Sequence, residues 1–388
     1  FIRRSVTECG EFYALILFAT VGSMVMACSV NLLAIFLGLE LLSIPLYVLN
    51  AFFRRHEVSV EAGLKYFVVG AFASAFVAYG MALLYGASAS MNLVEIGRMV
   101  VEFGSLSPLS AVGFAMVFGG LAFKLALVPC HAWAPDVYQG SPTPVTAFLS
   151  VVPKGAALIV LLRMVEGMDL LHVSPRWVFA ASVVAVASQT LGNVVAIVQR
   201  DIKRMLAYSG IAHMGYALVA VIVGGVDGGA AVLVYLAAYT LMNMSAFACI
   251  AQLSTREDRP HLINDLSGQG YNRPVAALAL TISLFALSGI PPFIGFTAKF
   301  VVFRAAVNEG FVWLAVIGVV NSLISVFYYV RVIYVLYMRS LPDRQPAFGF
   351  YLSICASASA AALGTLLLGI YPTPVLAAAQ SAILSLVR

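Results

Sequence analysis

Long apolar runs alternate with short polar turns along the whole chain. Runs of about 20 residues, the length that crosses a hydrocarbon core, recur at roughly 11–30, 31–52, 62–86, 108–128, 144–165, 177–198, 205–224, 230–253, 274–308, 311–338 and 348–371. Eleven spans are therefore expected. A tight turn near Asn31 joins the first two, and a final run, 375–387, is too short to count as a twelfth. Two runs are interrupted. Between Gly119 and Pro144 an apolar helix climbs to Lys124, meets Pro129 five residues later and opens into a polar, Pro-rich loop before the next run starts at Val145. Proline donates no backbone hydrogen bond and clashes with the preceding turn, so a helix breaks there. The second interruption is Leu287-Ser288-Gly289-Ile290-Pro291-Pro292, with Lys299 seven residues after Pro292.

The breaks fall in the fourth and the ninth spans. Two groups of five spans, 11–165 and 177–338, thus each carry a break in their fourth member, and an odd number of spans makes the groups cross the membrane in opposite senses. Paired discontinuous helices in an inverted repeat are a pointer to a transport site. The expected fold is an all-α polytopic membrane protein of about eleven transmembrane helices. It comprises two inverted five-helix repeats with discontinuous helices at 108–143 and 274–308, and a C-terminal helix and tail over 348–388.

Composition agrees. Of 388 residues, 62% are hydrophobic and 10% are charged, against about 25% charged in a soluble domain. The formal charge of +5 sits at span ends and forms no stripe with interleaved aromatics, so it reads as topology and not as a nucleic-acid surface. With Arg3 and Arg4 cytoplasmic, Arg54, Arg55, Arg200, Lys203, Arg204, Arg256, Arg259, Arg273, Arg339 and Arg344 share that side. Only Arg98, Arg163, Arg176, Arg304 and Arg388 lie opposite. Loop 87–107 then lies outside and loop 254–273 inside. Cys9, Cys28, Cys130, Cys249 and Cys355 stand alone without metal or iron–sulfur spacing, and no Gly-rich phosphate loop follows a strand pattern. The chain itself offers no site for a flavin, haem or nucleotide. Its opening, Phe1-Ile2-Arg3-Arg4, resembles neither a signal peptide nor a native start, so a longer N-terminal part is expected.

The lysines carry the chemistry. Four of the five, Lys65, Lys124, Lys154 and Lys299, lie within or at the end of spans, whereas 16 of the 17 arginines sit at or near span ends or in loops. A buried lysine can shed its proton and an arginine effectively cannot. A charge at mid-bilayer costs roughly 2.5–3.5 kcal/mol on insertion scales, and such residues face an interior or a wet cavity. Lys124, Lys154 and Lys299 are the foremost proton-relay candidates, with Glu40, about ten residues into its span, as the carboxylate that pairs with Lys124. The plain alternatives are a snorkelling Lys124, a fixed salt bridge at Lys154 and a neutral, carbonyl-bonded Glu40. Lys65 has Glu61 at i−4, a spacing that also suits a solvated ion pair. His131 follows the first break, and Asp136 is expected to cap the helix after it. His213 lies among Tyr208, Ser209 and Tyr216, as a relay member or a satisfied buried histidine. Tyr235, Tyr239, Asn243, Ser245, Asn321, Ser322, Ser325 and Tyr328 either order a water chain between Lys154 and Lys299 or bond helix to helix.

The runs FKLALVPCHAWAPDVYQGSPTPVTAFLS, QRDIKRMLAYSGIAHMGYALVA and LFALSGIPPFIGFTAKFVVF resemble the antiporter-like subunits of respiratory complex I. The wording Asp136-Val137-Tyr138-Gln139-Gly140 is similar to one of the three such subunits and unlike the other two. The match covers essentially the whole chain. The resemblance implies a proton-translocating subunit of NADH:quinone oxidoreductase in the bacterial cell inner membrane, with inverted five-helix repeats. It implies partners among the other membrane-arm subunits, with FMN, iron–sulfur clusters and quinone held by partner subunits. By motif position, Glu40, Lys65, Lys124, Lys154, Lys299, His131 and His213 match the family's functional positions. Bacterial members begin about three helices earlier than this chain. Mrp-type cation/proton antiporter subunits and the antiporter-like subunits of membrane hydrogenases share the two broken helices and form the alternative reading.

Overall fold

The computed structural model describes residues 10–54, 56–254, 262–340 and 352–387, without the side chains of 385–387. Cys9, Arg3, Arg4, Arg55, Arg256, Arg259, Arg344 and Arg388 lie outside the described residues. The chain folds as helices α1 (Gly10–Cys28), α2 (Leu32–Asn50), α3 (Glu57–Ser88), α4 (Leu93–Phe103), α5 (Pro108–Leu125), α6 (Trp133–Gly140), α7 (Thr143–Gly167), α8 (Leu170–Val173), α9 (Pro175–Val198), α10 (Ile202–Val223), α11 (Gly225–Gln252), α12 (Gln269–Asn272), α13 (Pro274–Ser288), α14 (Ile294–Asn308), α15 (Val312–Met338), α16 (Leu352–Ile370) and α17 (Thr373–Val387). Among the described residues, ten helices are long and apolar enough to cross a membrane. The remaining expected span is the pair α13–α14, each half too short to cross alone.

Local chemistry sets the helix ends. Asn31 caps α2 by accepting from the Leu33 amide at 2.9 Å, and Asp201 caps α10 by accepting from the Lys203 amide at 2.8 Å. Both caps close tight turns between packed helices, α1–α2 and α9–α10. Each is also held to the segment after the following span: Leu32 N donates to Met91 O at 2.8 Å, and Ile263 N to Arg200 O at 2.8 Å. Both breaks begin with a left-handed C-cap, Ala126 at φ 56 and Gly289 at φ 84, followed by a cis proline, Pro129 and Pro292. Arg163 on α7 donates to the free carbonyls of Cys28 and Ser29 at the end of α1 at 3.1 and 3.2 Å. Arg331 on α15 does the same for Ile197 and Gln199 at the end of α9, at 2.5 and 2.6 Å. These carbonyls lack partners within their own helices, so each arginine ties the fifth member of a five-helix group to the first.

Small residues set the spacing of the outer hairpin. A Cβ on Gly22 would lie 2.7 Å from the Gly38 carbonyl, so α1 and α2 touch backbone to backbone. Helix α10 runs through the middle, 94% of its apolar window buried. The outer faces of α3, α9 and α15 present Phe72, Phe179 and Leu323, each more than 60% exposed, as a lipid-facing surface requires. Loop 87–107 contains the amphipathic helix α4, which buries Leu93, Ile96 and Val100.

Candidate functional site

Lys124 ends α5 one turn before the break and is 2% exposed. Its ammonium sits over the Tyr66 ring at 5.1 Å, the Tyr47 ring at 5.5 Å and the Phe123 ring at 5.6 Å, with the Tyr66 hydroxyl at 3.4 Å. An aromatic face attracts a cation, by about 2 kcal/mol or more when desolvated. Lys124 is therefore enclosed and does not snorkel. Glu40 and Lys124 form no ion pair within 4.0 Å, and Glu40 Oε1 is buried without a hydrogen-bond partner. The expected direct pair is absent from this conformation, in which three aromatic rings surround the ammonium.

Lys154, on α7, is fully buried, and its Nζ has no hydrogen-bond partner. The ammonium lies over the Tyr138 ring at 5.5 Å. Among the described residues no salt bridge fixes it, against the structural alternative. Lys299, on α14, reaches back across the second break. It donates to Leu287 O at 3.1 Å, Ser288 O at 2.9 Å and Ser322 Oγ at 2.9 Å, over the Tyr216 ring at 5.2 Å. The ammonium thus caps the carbonyl end of α13, where the helix dipole favours positive charge.

Aromatic contacts join the three amines. Tyr66 packs on Trp133 at 4.7 Å between ring centroids, and Trp133 on Tyr138 at 6.4 Å, which links Lys124 to Lys154. Beyond Lys154, the Tyr239 ring packs on His213 at 5.3 Å, and His213 on Tyr216 at 5.9 Å, beside Lys299. The His213 Nδ1 lies 2.7 Å from the Tyr235 hydroxyl, and its Nε2 lies 3.3 Å from that of Tyr329. Tyr329 in turn bonds Ser209. The partners expected from neighbouring positions on α10 are thus replaced by tyrosines from α11 and α15, because α10 is enclosed on every side.

The remaining candidates sit apart. Lys65 is 44% exposed at its side chain and pairs with Glu61 at 2.7 Å and with Asp136 at 2.8 Å. Asp136 does not cap the helix after the loop, α7, whose N-cap is Pro142; the loop itself holds the short helix α6. Asp136 lies inside α6, clamped between Lys65 and Arg204, whose Nη1 is 2.6 Å away. His131 lies in the break itself, half-buried, with Nδ1 unpartnered. Of the proposed water-chain residues, Ser322, Tyr235 and Tyr239 touch the row. Ser245 bonds Ala358 O, Asn321 bonds Thr190 and Tyr328 bonds Asn193, all contacts between helices.

Residues 29–325, more than half of the chain, match the family model described as NADH:quinone oxidoreductase/Mrp antiporter, TM. The chain belongs to that family. A relative from Trichlorobacter lovleyi, named NADH-quinone oxidoreductase subunit N, is 42% identical over 99% of this chain and 79% of its own length. A chain of respiratory complex I from Thermus thermophilus with bound aureothin is 36% identical, covers 95% of this chain and 81% of its own, and superposes with a TM-score of 0.83. A chain of the Mrp complex from Dietzia sp. DQ12-45-1b shares the fold alone, with a TM-score of 0.85 at 24% identity over 95% of this chain and 76% of its own. The chain is a multi-pass protein of the bacterial inner membrane.

Within this antiporter family site, the aromatics of the first half are what a reading of charges misses. Tyr47, Tyr66 and Phe123 sit in apolar runs that need no explanation in lipid, and Trp133 and Tyr138 sit in the loop after the first break, where the charges draw the eye. The available signal is adjacency: Tyr66 follows Lys65 and Phe123 precedes Lys124.

Proposed function

We propose that this chain is a proton-conducting, antiporter-like subunit of the membrane arm of a respiratory NADH:quinone oxidoreductase, the counterpart of subunit N. Protons pass along Glu40, Lys124, Lys154, His213 and Lys299, and Lys65 and His131 flank the route. The two five-helix groups, 11–165 and 177–338, act as inverted repeats, each contributing a broken helix. Redox chemistry resides in partner subunits that hold the flavin, iron–sulfur clusters and quinone, and neighbouring membrane-arm subunits flank this one. The observation that carries the reading is the row itself. It consists of three buried lysines, on the two broken helices and α7, each over a tyrosine ring, with no carboxylate among the described residues within 4.0 Å of any of them.

The energetics are of the right order. Moving a proton against 100–200 mV costs roughly 2–5 kcal/mol. Relative to full separation, unit charges about 4 Å apart attract by about 4 kcal/mol at an effective dielectric of 20, the upper bound on what closing Glu40 onto the Lys124 ammonium can supply. The present separation and the unpartnered Glu40 Oε1 fit the open half of such a cycle. Closure holds the charge on Lys124, and opening releases it toward Lys154. The test is NADH-driven proton transport by the assembled complex carrying Glu40→Ala or Lys124→Ala. Loss of transport with an intact complex is expected, and transport at the unaltered level overturns the reading. Sodium exchange by an isolated homo-oligomer would favour an Mrp-type antiporter instead.

A further inference from the structure

The first turns of α5 and α9, at the membrane boundary that the arginine pattern assigns outside, leave a crevice of about 500 Å³ between them. None of the residues of the lysine row lines it. Its walls are apolar: Leu106, Phe114, Phe118 and Trp177, with the small side chains of Ala115 and Ala180. Phe114 and Phe118 each pack edge-on against the Trp177 ring at 4.9 Å. Its rim is polar, made by Ser105, Ser174 and Arg176. Three donors at this crevice lack an acceptor among the described residues. The Arg176 guanidinium is exposed, with no carboxylate within 4.0 Å. The Arg176 amide belongs to the first turn of α9, whose N–H groups have no partner within the helix. Pro175 has no N–H to offer, and the Trp177 amide is already taken by Ser174 Oγ at 3.3 Å. The third donor is the Trp177 indole. It is 7% exposed, and its Nε1 has no hydrogen-bond partner, although a buried indole N–H ordinarily finds one.

We propose that this crevice is a phospholipid site. One acyl chain lies between α5 and α9, an ester carbonyl accepts from Trp177 Nε1, and the phosphodiester sits on Arg176 at the N-terminus of α9. The chemistry of the donors selects this occupant. A transmembrane helix from a partner subunit spends its carbonyls on itself, so it would fill the apolar space and leave the indole and the guanidinium unsatisfied. A free phosphate would satisfy Arg176 and leave the apolar space empty. A phospholipid carries an anion, an ester carbonyl and an apolar tail in that order, as rim, indole and walls require. The surroundings are apolar at the same depth. Val112 on α5 and Phe179 on α9 flank the crevice, and Val101 and Phe103 end the amphipathic helix α4 beside Ser105, each more than half exposed. Tryptophan with a nearby arginine is also the usual anchor at headgroup level. The site does not depend on the relay reading.

The experiment uses the assembled complex in nanodiscs containing phosphatidylglycerol, imaged by high-resolution cryo-EM. Chain-shaped density is expected between Phe118 and Ala180, with a phosphate peak about 2.7–2.9 Å from the Arg176 guanidinium. The same complex is photolabelled with phosphatidylglycerol carrying a diazirine in its acyl chain. Labelling of residues 111–118 and 177–180 should exceed that of the lipid-facing surface around Leu323. Arg176→Gln should lower the excess at least about tenfold, and Trp177→Phe, which keeps an aromatic ring in the wall, by roughly threefold to tenfold. Ala115→Leu fills the crevice and leaves Arg176 in place, so it should remove both tail density and excess label. If a phosphate peak persists at Arg176 in Ala115→Leu, or appears when inorganic phosphate is added to delipidated complex, the site is one for a free anion and the lipid is refuted. A neighbouring subunit seated in the crevice, or labelling no higher than around Leu323, overturns the proposal as well. Where a variant fails to assemble, the density and labelling of the unaltered complex decide.

Discussion

Lys299 does two jobs that one substitution can separate. Its ammonium caps α13 through Leu287 O and Ser288 O, at 3.1 and 2.9 Å, and bonds Ser322 at 2.9 Å. Lys299→Arg keeps a permanent charge and N–H donors at that helix end. The added bulk has room, because a cavity of about 680 Å³ lined by Phe296, Phe300 and Ser322 opens beside the side chain. Arginine effectively never gives up its proton near neutral pH. A relay that needs the neutral amine should therefore slow by orders of magnitude while the cap survives. Lys299→Met removes both functions. Hydrogen bonds to a charged donor are worth about 1.5–3 kcal/mol each. Losing two at the lower bound is about 3 kcal/mol, or roughly 10²-fold faster opening of the local helix end. Two measurements on the assembled complex resolve this: NADH-driven proton uptake, and amide hydrogen exchange over residues 285–300. Lys299→Arg should abolish uptake with near-normal exchange, and Lys299→Met should change both. Uptake at the unaltered rate in Lys299→Arg would mean that Lys299 is a cap and no more.

Arg331→Ala frees the Ile197 and Gln199 carbonyls and should speed amide exchange at residues 196–204 by about tenfold to a hundredfold, whereas Arg163→Ala, with longer bonds, should act more weakly on residues 26–34. Asp136→Asn removes two partly exposed ion pairs that tie α3, α6 and α10 together. Each such pair is worth about 0.2–1 kcal/mol, so the thermal midpoint of the complex should fall slightly, by less in high salt, and a large fall would assign Asp136 a deeper role. In the loop between α7 and α9, the Asp169 carboxylate 2.6 Å away holds the His172 imidazole above its usual value. A raised histidine contributes stability that is complete below about pH 6.5 and disappears as pH rises through the raised value. His172→Gln should therefore lower protection of residues 169–174 at pH 5.5 and leave it unchanged at pH 9.

Charges were readable from sequence because lipid makes them expensive. Lys124, Lys154 and Lys299 stood out in apolar runs, and the prolines beside them marked the two breaks without ambiguity. The span pattern held to within a few residues, although α3 begins at Glu57, earlier than its apolar run, because charged residues extend it into the polar boundary. What the sequence hid were choices made in three dimensions. Apolar context cannot tell a packing tyrosine from one under an ammonium, which hides the role of Tyr66. Spacing placed His213 near Ser209 and Tyr216, but its hydrogen bonds come from other helices. Glu40 and Lys124 attract each other in any list of residues, yet whether they touch depends on the conformation.

Each of the three enclosed ammonium groups rests on a tyrosine ring and not against an anion. A cation that departs from a carboxylate leaves an uncompensated negative charge in a poorly polarisable interior, and that stranded charge pulls it back. A cation that departs from a quadrupole leaves something electrically neutral. Past Glu40, successive hand-offs along this line therefore need no ion pair to be torn apart. In the proposed relay Glu40 would be the valve, and among the described residues no carboxylate lies within 4.0 Å of the three ammonium groups that follow it.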